Sequence, residues 1–224
     1  MKVKSIVDRA VKRLEDMIIK GKLQPGQRIK ETEISSRLGI SRPPLREAFK
    51  ILEAEGLIRR EPRHGVFVSE LSEHDIWEVY TLKIALYTLA VGLAMERMTQ
   101  AGLLKLEKTV QSMEELVQGS DDPDIMKYEE LNSVFHDLTA AISGHLRLRR
   151  ILQSLNNQIK RISYRSFADI EHLRSSCVYH RTILEAIKAG DRAKAEAITR
   201  EHIVKGLEVQ RTLMASELEA VAEG

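Results

Sequence analysis

Apolar residues recur with a spacing of three and four along most of this chain, which predicts helices, and the pattern breaks only in one short stretch near residues 57–68. Ile6, Val7, Ala10, Leu14, Met17 and Ile18 trace one face of a first helix from Ser5 to Lys20. Ile34 and Leu38 mark a short second helix, which Gly39 can end by taking a left-handed conformation. Ser41 offers a hydroxyl to cap a third helix, and Pro43 and Pro44 fall in its first turn, where a missing N–H costs nothing. Leu45, Ala48, Phe49 and Leu52 form the buried side of that helix and Gly56 stops it. Leu57-Ile58-Arg59-Arg60 and Val66-Phe67-Val68 then read as two short strands around a turn, and Gln27-Arg28-Ile29 as a short strand beside them.

From about Glu73 onward the pattern is helical throughout. Breaks at Ala101-Gly102, Gly119–Pro123, Ser143-Gly144, Ser166–Asp169 and Gly190-Asp191 delimit six helices near 73–100, 102–118, 123–142, 145–165, 169–189 and 191–216. Consecutive helices with short links pack antiparallel. The expected fold is mainly α. An N-terminal winged helix-turn-helix spans residues 1–71, and a C-terminal all-α antiparallel helical bundle spans 72–224.

Charge divides at the same boundary. Residues 1–70 carry sixteen Lys/Arg against ten Asp/Glu, whereas the remainder carries nineteen against twenty-three, so a net charge of only +2 hides a basic N-terminal module. That asymmetry suits a DNA-binding unit joined to something else. The single cysteine, Cys177, excludes an intramolecular disulfide and suits a reducing compartment. No signal peptide and no apolar run near ~18 residues is visible, so the expected location is the cytoplasm, with no membrane partner.

The third helix carries the DNA chemistry. Arg42, Arg46 and Lys50 are four apart and stack along its solvent face, opposite the apolar side. Guanidinium groups on the first turns of such a helix can pair with guanine edges or phosphates in a major groove. The turn Pro62-Arg63-His64-Gly65 adds an exposed basic tip for the minor groove or backbone. One such helix reads only a few base pairs, which favours a homodimer on a two-fold symmetric site in double-stranded operator DNA.

The bundle carries a second constellation. Asn132 and His136 are four apart on one helix, and His180 and His202 each stand beside core-facing apolar residues on two others. Three imidazoles meeting inside a bundle could hold zinc, nickel, copper or iron, with the Asn132 amide a weak extra ligand. Each ring reads equally well as a hydrogen-bonded core residue. A metalloenzyme built on the bundle finds little support, because no HExxH, nucleophile elbow, phosphate loop or carboxylate pair stands near the histidines. A metal-free sensor of a larger ligand is the other alternative.

The segment LGISRPPLREAFKILEAEGLI resembles the winged helix of GntR-type bacterial transcription regulators over about Ser5–Leu71. NSVFHDLTAAISGH, YHRTILEAIKAGDRAKAEAI and REHI resemble the helical FCD effector domain of the FadR subfamily over about Asp75–Met214. The resemblance implies a one-component transcription regulator, more often a repressor than an activator, and not an enzyme. It implies Arg42 and Arg46 as the main recognition contacts, with Ser41 and Pro43 flanking them and His64-Gly65 at the wing tip. It also implies a divalent metal, zinc or nickel, on Asn132, His136, His180 and His202, with Asn132 standing where relatives place an aspartate. Lys83 and Tyr87 fall where relatives carry an arginine and a glutamate. With Arg161 they are the candidate contacts for a small carboxylate effector.

Overall fold

The computed structural model describes residues 5–222. By packing the chain divides into two compact units. One holds the chain up to Ser72 together with Ser154–Arg161, and the other holds Glu73–Gln153 together with the chain from Ile162.

In the first unit, helix α1 spans Ile6–Ile19, and Ser5 opens it with a capping box in which Ser5 and Asp8 satisfy each other's backbone N–H. Strand β1 is Arg28–Ile29, α2 is Glu31–Leu38 and α3 is Arg42–Ala54. Gly39 ends α2 at φ 64°, ψ 35°, the left-handed conformation that a residue without Cβ adopts freely. Ser41 is the N-cap of α3 as expected from the sequence, but its hydroxyl makes no capping bond. Pro43 and Pro44 remove two of the N–H groups such a cap would otherwise serve, so the start of α3 is set by proline geometry instead.

Strands β2 (Ile58–Glu61) and β3 (Gly65–Val68) form an antiparallel hairpin, and β1 joins the other edge of β3 to give the order β1-β3-β2. The register pairs Arg60 with Val66 and Ile29 with Val66 across the two edges. Alternation along β3 sends Val66 and Val68 inward, where they meet Leu14, Leu45, Phe49, Leu52 and Leu57 in one core. Each of these fully buried side chains contributes on the order of 2 kcal/mol of apolar burial.

The second unit comprises α4 (Glu73–Glu96), α5 (Gln100–Val117), α6 (Ile125–Ile142), α7 (Leu146–Ser166, whose segment Ser154–Arg161 falls in the first unit), α8 (Ile170–Lys188) and α9 (Arg192–Ala222). Helix α4 packs against α6 and α9, while α8 packs against α9 and α5. Arg181 on α8 bonds Glu107 at 2.7 Å and Glu114 at 2.8 Å, tying α8 to α5.

The first break of the bundle lies earlier than the sequence suggests. Thr99, not Gly102, marks it, because the Thr99 side chain accepts the backbone N–H of Gly102 and caps α5. Gly102 sits inside the helix, where a Cβ would lie 3.1 Å from Ile142 and 3.3 Å from Met98. Its smallness therefore serves close helix packing, not chain termination. Helix α4 also departs from the expectation that no apolar run reaches membrane length. An 18-residue window of it has a mean hydropathy of 1.3, and 44% of that window is buried. This helix lies against two neighbours in the bundle and contributes buried Tyr80, Lys83 and Tyr87 to the interior, so its hydrophobicity is that of a core helix.

Candidate functional site

Three helices bring three imidazoles together in the interior of the second unit. His136 on α6, His180 on α8 and His202 on α9 each offer a ring nitrogen, and these nitrogens all lie within 4.8 Å of one another. Ring centroids are 4.7 Å apart for His180 and His202, and 5.3 Å for His136 and His180. All three residues are buried, as is Asn132 one turn before His136. A zinc ion at ~2.0–2.1 Å from each nitrogen needs tetrahedral donors about 3.4 Å apart, so nitrogens within 4.8 Å of one another have to close by at most about 1.4 Å.

The protonation pattern of these rings is unusual for core histidines. His180 Nδ1 stands 2.7 Å from the Ser176 carbonyl, which can only accept, so Nδ1 carries the proton and Nε2 keeps its lone pair. That Nε2 is buried without a hydrogen-bond partner among the described residues, and so is His202 Nδ1. Each orphaned buried polar group costs about 1–3 kcal/mol. Metal-bound imidazoles commonly donate their second N–H to a backbone carbonyl, as His180 does. Burial lowers His180 to about 4 and holds His136 and His202 well below the ordinary imidazole range; the Lys83 ammonium adds to the effect on all three and neighbouring imidazoles to that on the latter two, while the Ser176 carbonyl opposes it at His180. The rings are therefore neutral at physiological pH, the form that binds a metal. The donor set fits a divalent ion.

A small cavity adjoins the cluster, with His136, His202 and Asn132 in its wall beside Lys83, Tyr80 and His172. The centre of a water-sized sphere has about 20 Å³ there, room for roughly one water or ion. Lys83 Nζ lies 3.4 Å from Ser163 Oγ and 4.6 Å from the centre of the Tyr80 ring. Desolvation lowers its pKa to about 8, opposed by the nearby Glu129, so the ammonium form still prevails at neutral pH. Tyr87 stacks on His136 with centroids 4.3 Å apart. The structure thus brings Lys83 and Tyr87 to the histidine cluster, whereas Arg161 is buried on α7 but does not line this cavity.

Sequence reading missed part of the wall. His172 is buried and stacks on Phe167, and its Nδ1 has no hydrogen-bond partner among the described residues. Burial lowers its pKa to about 4. Its position two turns before His180 on α8 was the available signal. Gly206 was also missed: a Cβ there would lie 3.0 Å from Tyr80 Oη, so glycine lets the phenol reach the cavity.

In the first unit, Arg42, Arg46 and Lys50 are exposed along α3, and Arg63 and His64 are exposed at the turn of the wing. Arg63 holds φ 67° and Gly65 φ 114°, so the tip is a tight left-handed turn. Arg46 is not idle: its guanidinium grips Glu31 of α2, with Nε 3.0 Å and Nη2 3.0 Å from Glu31 Oε2. Lys50 pairs with Glu47 at 2.8 Å. Arg9 and Arg13 of α1 and Arg37 of α2, which sequence reading passed over, line a concavity of about 340 Å³ beside Gly39. Only the folded arrangement of α1 against α2 brings these three cations together.

Comparison with known proteins covers nearly the whole chain. Residues 6–68 match the family described as bacterial regulatory proteins, gntR family, and residues 78–205 match the FCD domain family. An uncharacterized HTH-type transcriptional regulator of Bacillus subtilis, YdhC, is 31% identical over 184 residues, covering 82% of this chain and 81% of the relative. A probable D-xylose utilization operon transcriptional repressor of Paenarthrobacter nicotinovorans is 28% identical over 83% of this chain and 80% of its own length. Among solved structures, E. coli McbR/YncC superposes with a TM-score of 0.80 at 20% identity, covering 95% of this chain and all of that one, which supports the fold.

Proposed function

Because the chain belongs to the GntR family of bacterial regulatory proteins and carries an FCD domain, it is a one-component DNA-binding transcription regulator and not an enzyme, and we propose how it works. It acts in the cytoplasm as a homodimeric repressor, with residues 1–71 reading operator DNA and residues 72–224 sensing a small carboxylate beside a divalent metal. Arg42 and Arg46 read bases, with Ser41 and Pro43 beside them. Lys50, Arg63, His64 and Gly65 contact the backbone or minor groove. Arg9, Arg13 and Arg37 add phosphate contacts, which makes binding strongly salt-dependent.

The observation that carries the sensor reading is the buried histidine cluster with two orphaned ring nitrogens, on three helices of the FCD region. His136, His180 and His202 hold the ion, zinc or nickel, with Asn132 as a weak fourth contact. The ion supplies a positive centre for a carboxylate. Lys83 and Tyr87 orient the effector's other groups. A cavity sized for one water admits an organic acid only if its walls move, so the two states differ in effector affinity, which is the requirement for a ligand to shift an equilibrium. Pairing of two copies is supported by exposed Trp77, Leu82 and Leu89 on α4, since Lys83, the one charged residue between Glu78 and Glu96, is buried. Sedimentation equilibrium of the full chain reads this directly, and a monomer at micromolar concentration rejects it.

Elemental analysis of protein purified without chelator, followed by thermal shift on adding zinc or nickel, tests the metal. One ion per chain and a raised melting temperature are expected. Absence of both returns the histidines to structural roles.

A further inference from the structure

Arg9 and Arg13 stand four apart on α1, so their side chains leave the same face of the helix. Like charges at that spacing repel and destabilise a helix. Arg9 also lies one turn from the N-terminus of α1, the end where the helix dipole disfavours a cation. Arg37 joins the pair from the last turn of α2, and the three guanidiniums edge the concavity of about 340 Å³ in the first unit. Ala10 and Leu38 give it an apolar wall, and no carboxylate lines it. Other arginines of this unit are held by acids: Arg46 by Glu31, Arg60 by Glu53 and Arg59 by Glu61. Among the described residues, Arg9, Arg13 and Arg37 have no such acid. A cleft lined by one sign of charge focuses its field and concentrates ions of the other sign.

The donors specify the anion. Each guanidinium presents a planar fork of N–H groups that matches phosphate oxygens two at a time. Three such forks exceed what the two oxygens of one carboxylate can accept, whereas linked phosphates satisfy them all. The volume lies in the range of small-molecule sites. Ile40, in the wall, is two residues before Arg42, the first residue of α3, so the concavity adjoins the end of α3 that meets DNA. We propose that this α1–α2 concavity is a polyphosphate site, which holds backbone phosphates in the operator complex and for which a free polyphosphate competes with DNA. The inference rests on the DNA-binding reading above and adds to it a second ligand of the same chemistry and the direction of its effect. Backbone phosphates carry no sequence information, so the site anchors operator and unrelated duplex alike.

Inorganic tripolyphosphate is the probe. Calorimetric titration of the DNA-free full chain gives its Kd, and operator anisotropy at matched ionic strength reads the competition. With tripolyphosphate at that Kd, exclusive binding should at least about double the operator half-saturation concentration. The double variant Arg13→Gln/Arg37→Gln, changed only at exposed positions, should bind tripolyphosphate about tenfold or more weakly and lose the competition. Both proteins keep the same histidine cluster, so any metal that tripolyphosphate withdraws affects them alike. Arg13→Gln alone should weaken operator and scrambled duplex by the same factor and lower the salt slope by about one. Arg42→Ala should instead lower operator affinity selectively and leave tripolyphosphate binding intact. Unchanged tripolyphosphate affinity in the double variant, no competition in the wild type, or an unchanged salt slope in Arg13→Gln overturns the inference and leaves α3 as the recognition element. Unchanged operator affinity in both Arg42→Ala and Arg46→Ala overturns the recognition reading and this inference with it.

Discussion

Arg46→Ala is expected to lower operator affinity about 10- to 150-fold while leaving helix content and oligomeric state unchanged, and Arg42→Ala should act similarly. A lost bidentate base contact costs ~1–3 kcal/mol. For Arg46 the loss should sit at the lower end, because its guanidinium has to give up its pairing with Glu31 to reach DNA. The Glu31 carboxylate offers two acceptors in the same plane, much as a guanine edge or a phosphate does. Glu31→Gln should have the opposite sign and tighten binding modestly, since Arg46 then gives up a weaker partner. Fluorescence anisotropy with an operator recovered by in vitro selection checks all three variants. Wild-type affinity in both arginine variants rejects α3 as the recognition element.

His180→Ala is expected to weaken zinc binding more than 100-fold. Loss of an outer-shell partner alone typically costs 10–100-fold, and His180 is a direct donor whose tautomer is fixed by the Ser176 carbonyl. The residue is fully buried and packs edge-on against Phe135, so the variant also leaves a void costing roughly 2–3 kcal/mol. His180→Gln fills most of that void and separates the two effects: it should recover stability without recovering zinc affinity. The pH profile is a second check. Protons compete with metal for the same lone pair, and burial lowers His180 from the ordinary 6.5 to about 4. Zinc binding should therefore persist through pH 6 and fail only as the pH approaches that lower range. Loss centred on pH 6.5 would mean that the metal sits on exposed histidines elsewhere.

Much of this architecture is legible in the sequence because it is encoded locally. Periodicity, the left-handed Gly39 and the alternation of Val66 and Val68 each act within a few residues, and the helices and strands fall close to where they predict. Two local signals misled. Gly102 looked like a helix break, yet Thr99 caps the helix and Gly102 is small for packing. Ser41 looked like a hydroxyl cap, yet the prolines after it leave little for a cap to satisfy. The cavity wall was only half legible. His136, His180 and His202 stood out by type and spacing, whereas Tyr80, Ser163, His172 and Gly206 meet through packing of α4, α7, α8 and α9, which no local pattern records. The partnership of Arg46 with Glu31, fifteen residues earlier, is likewise a product of how α2 meets α3.

The most direct test of the whole account is an operator titration of the full chain, with and without zinc plus malonate, in the wild type and in His180→Gln. The account predicts that the pair shifts the half-saturation point of the wild type, that His180→Gln binds operator with unchanged affinity, and that the variant shows no shift. An equal shift in both proteins, or none in a wild type shown to carry zinc, would contradict a regulator whose DNA binding is governed from the buried histidine cluster.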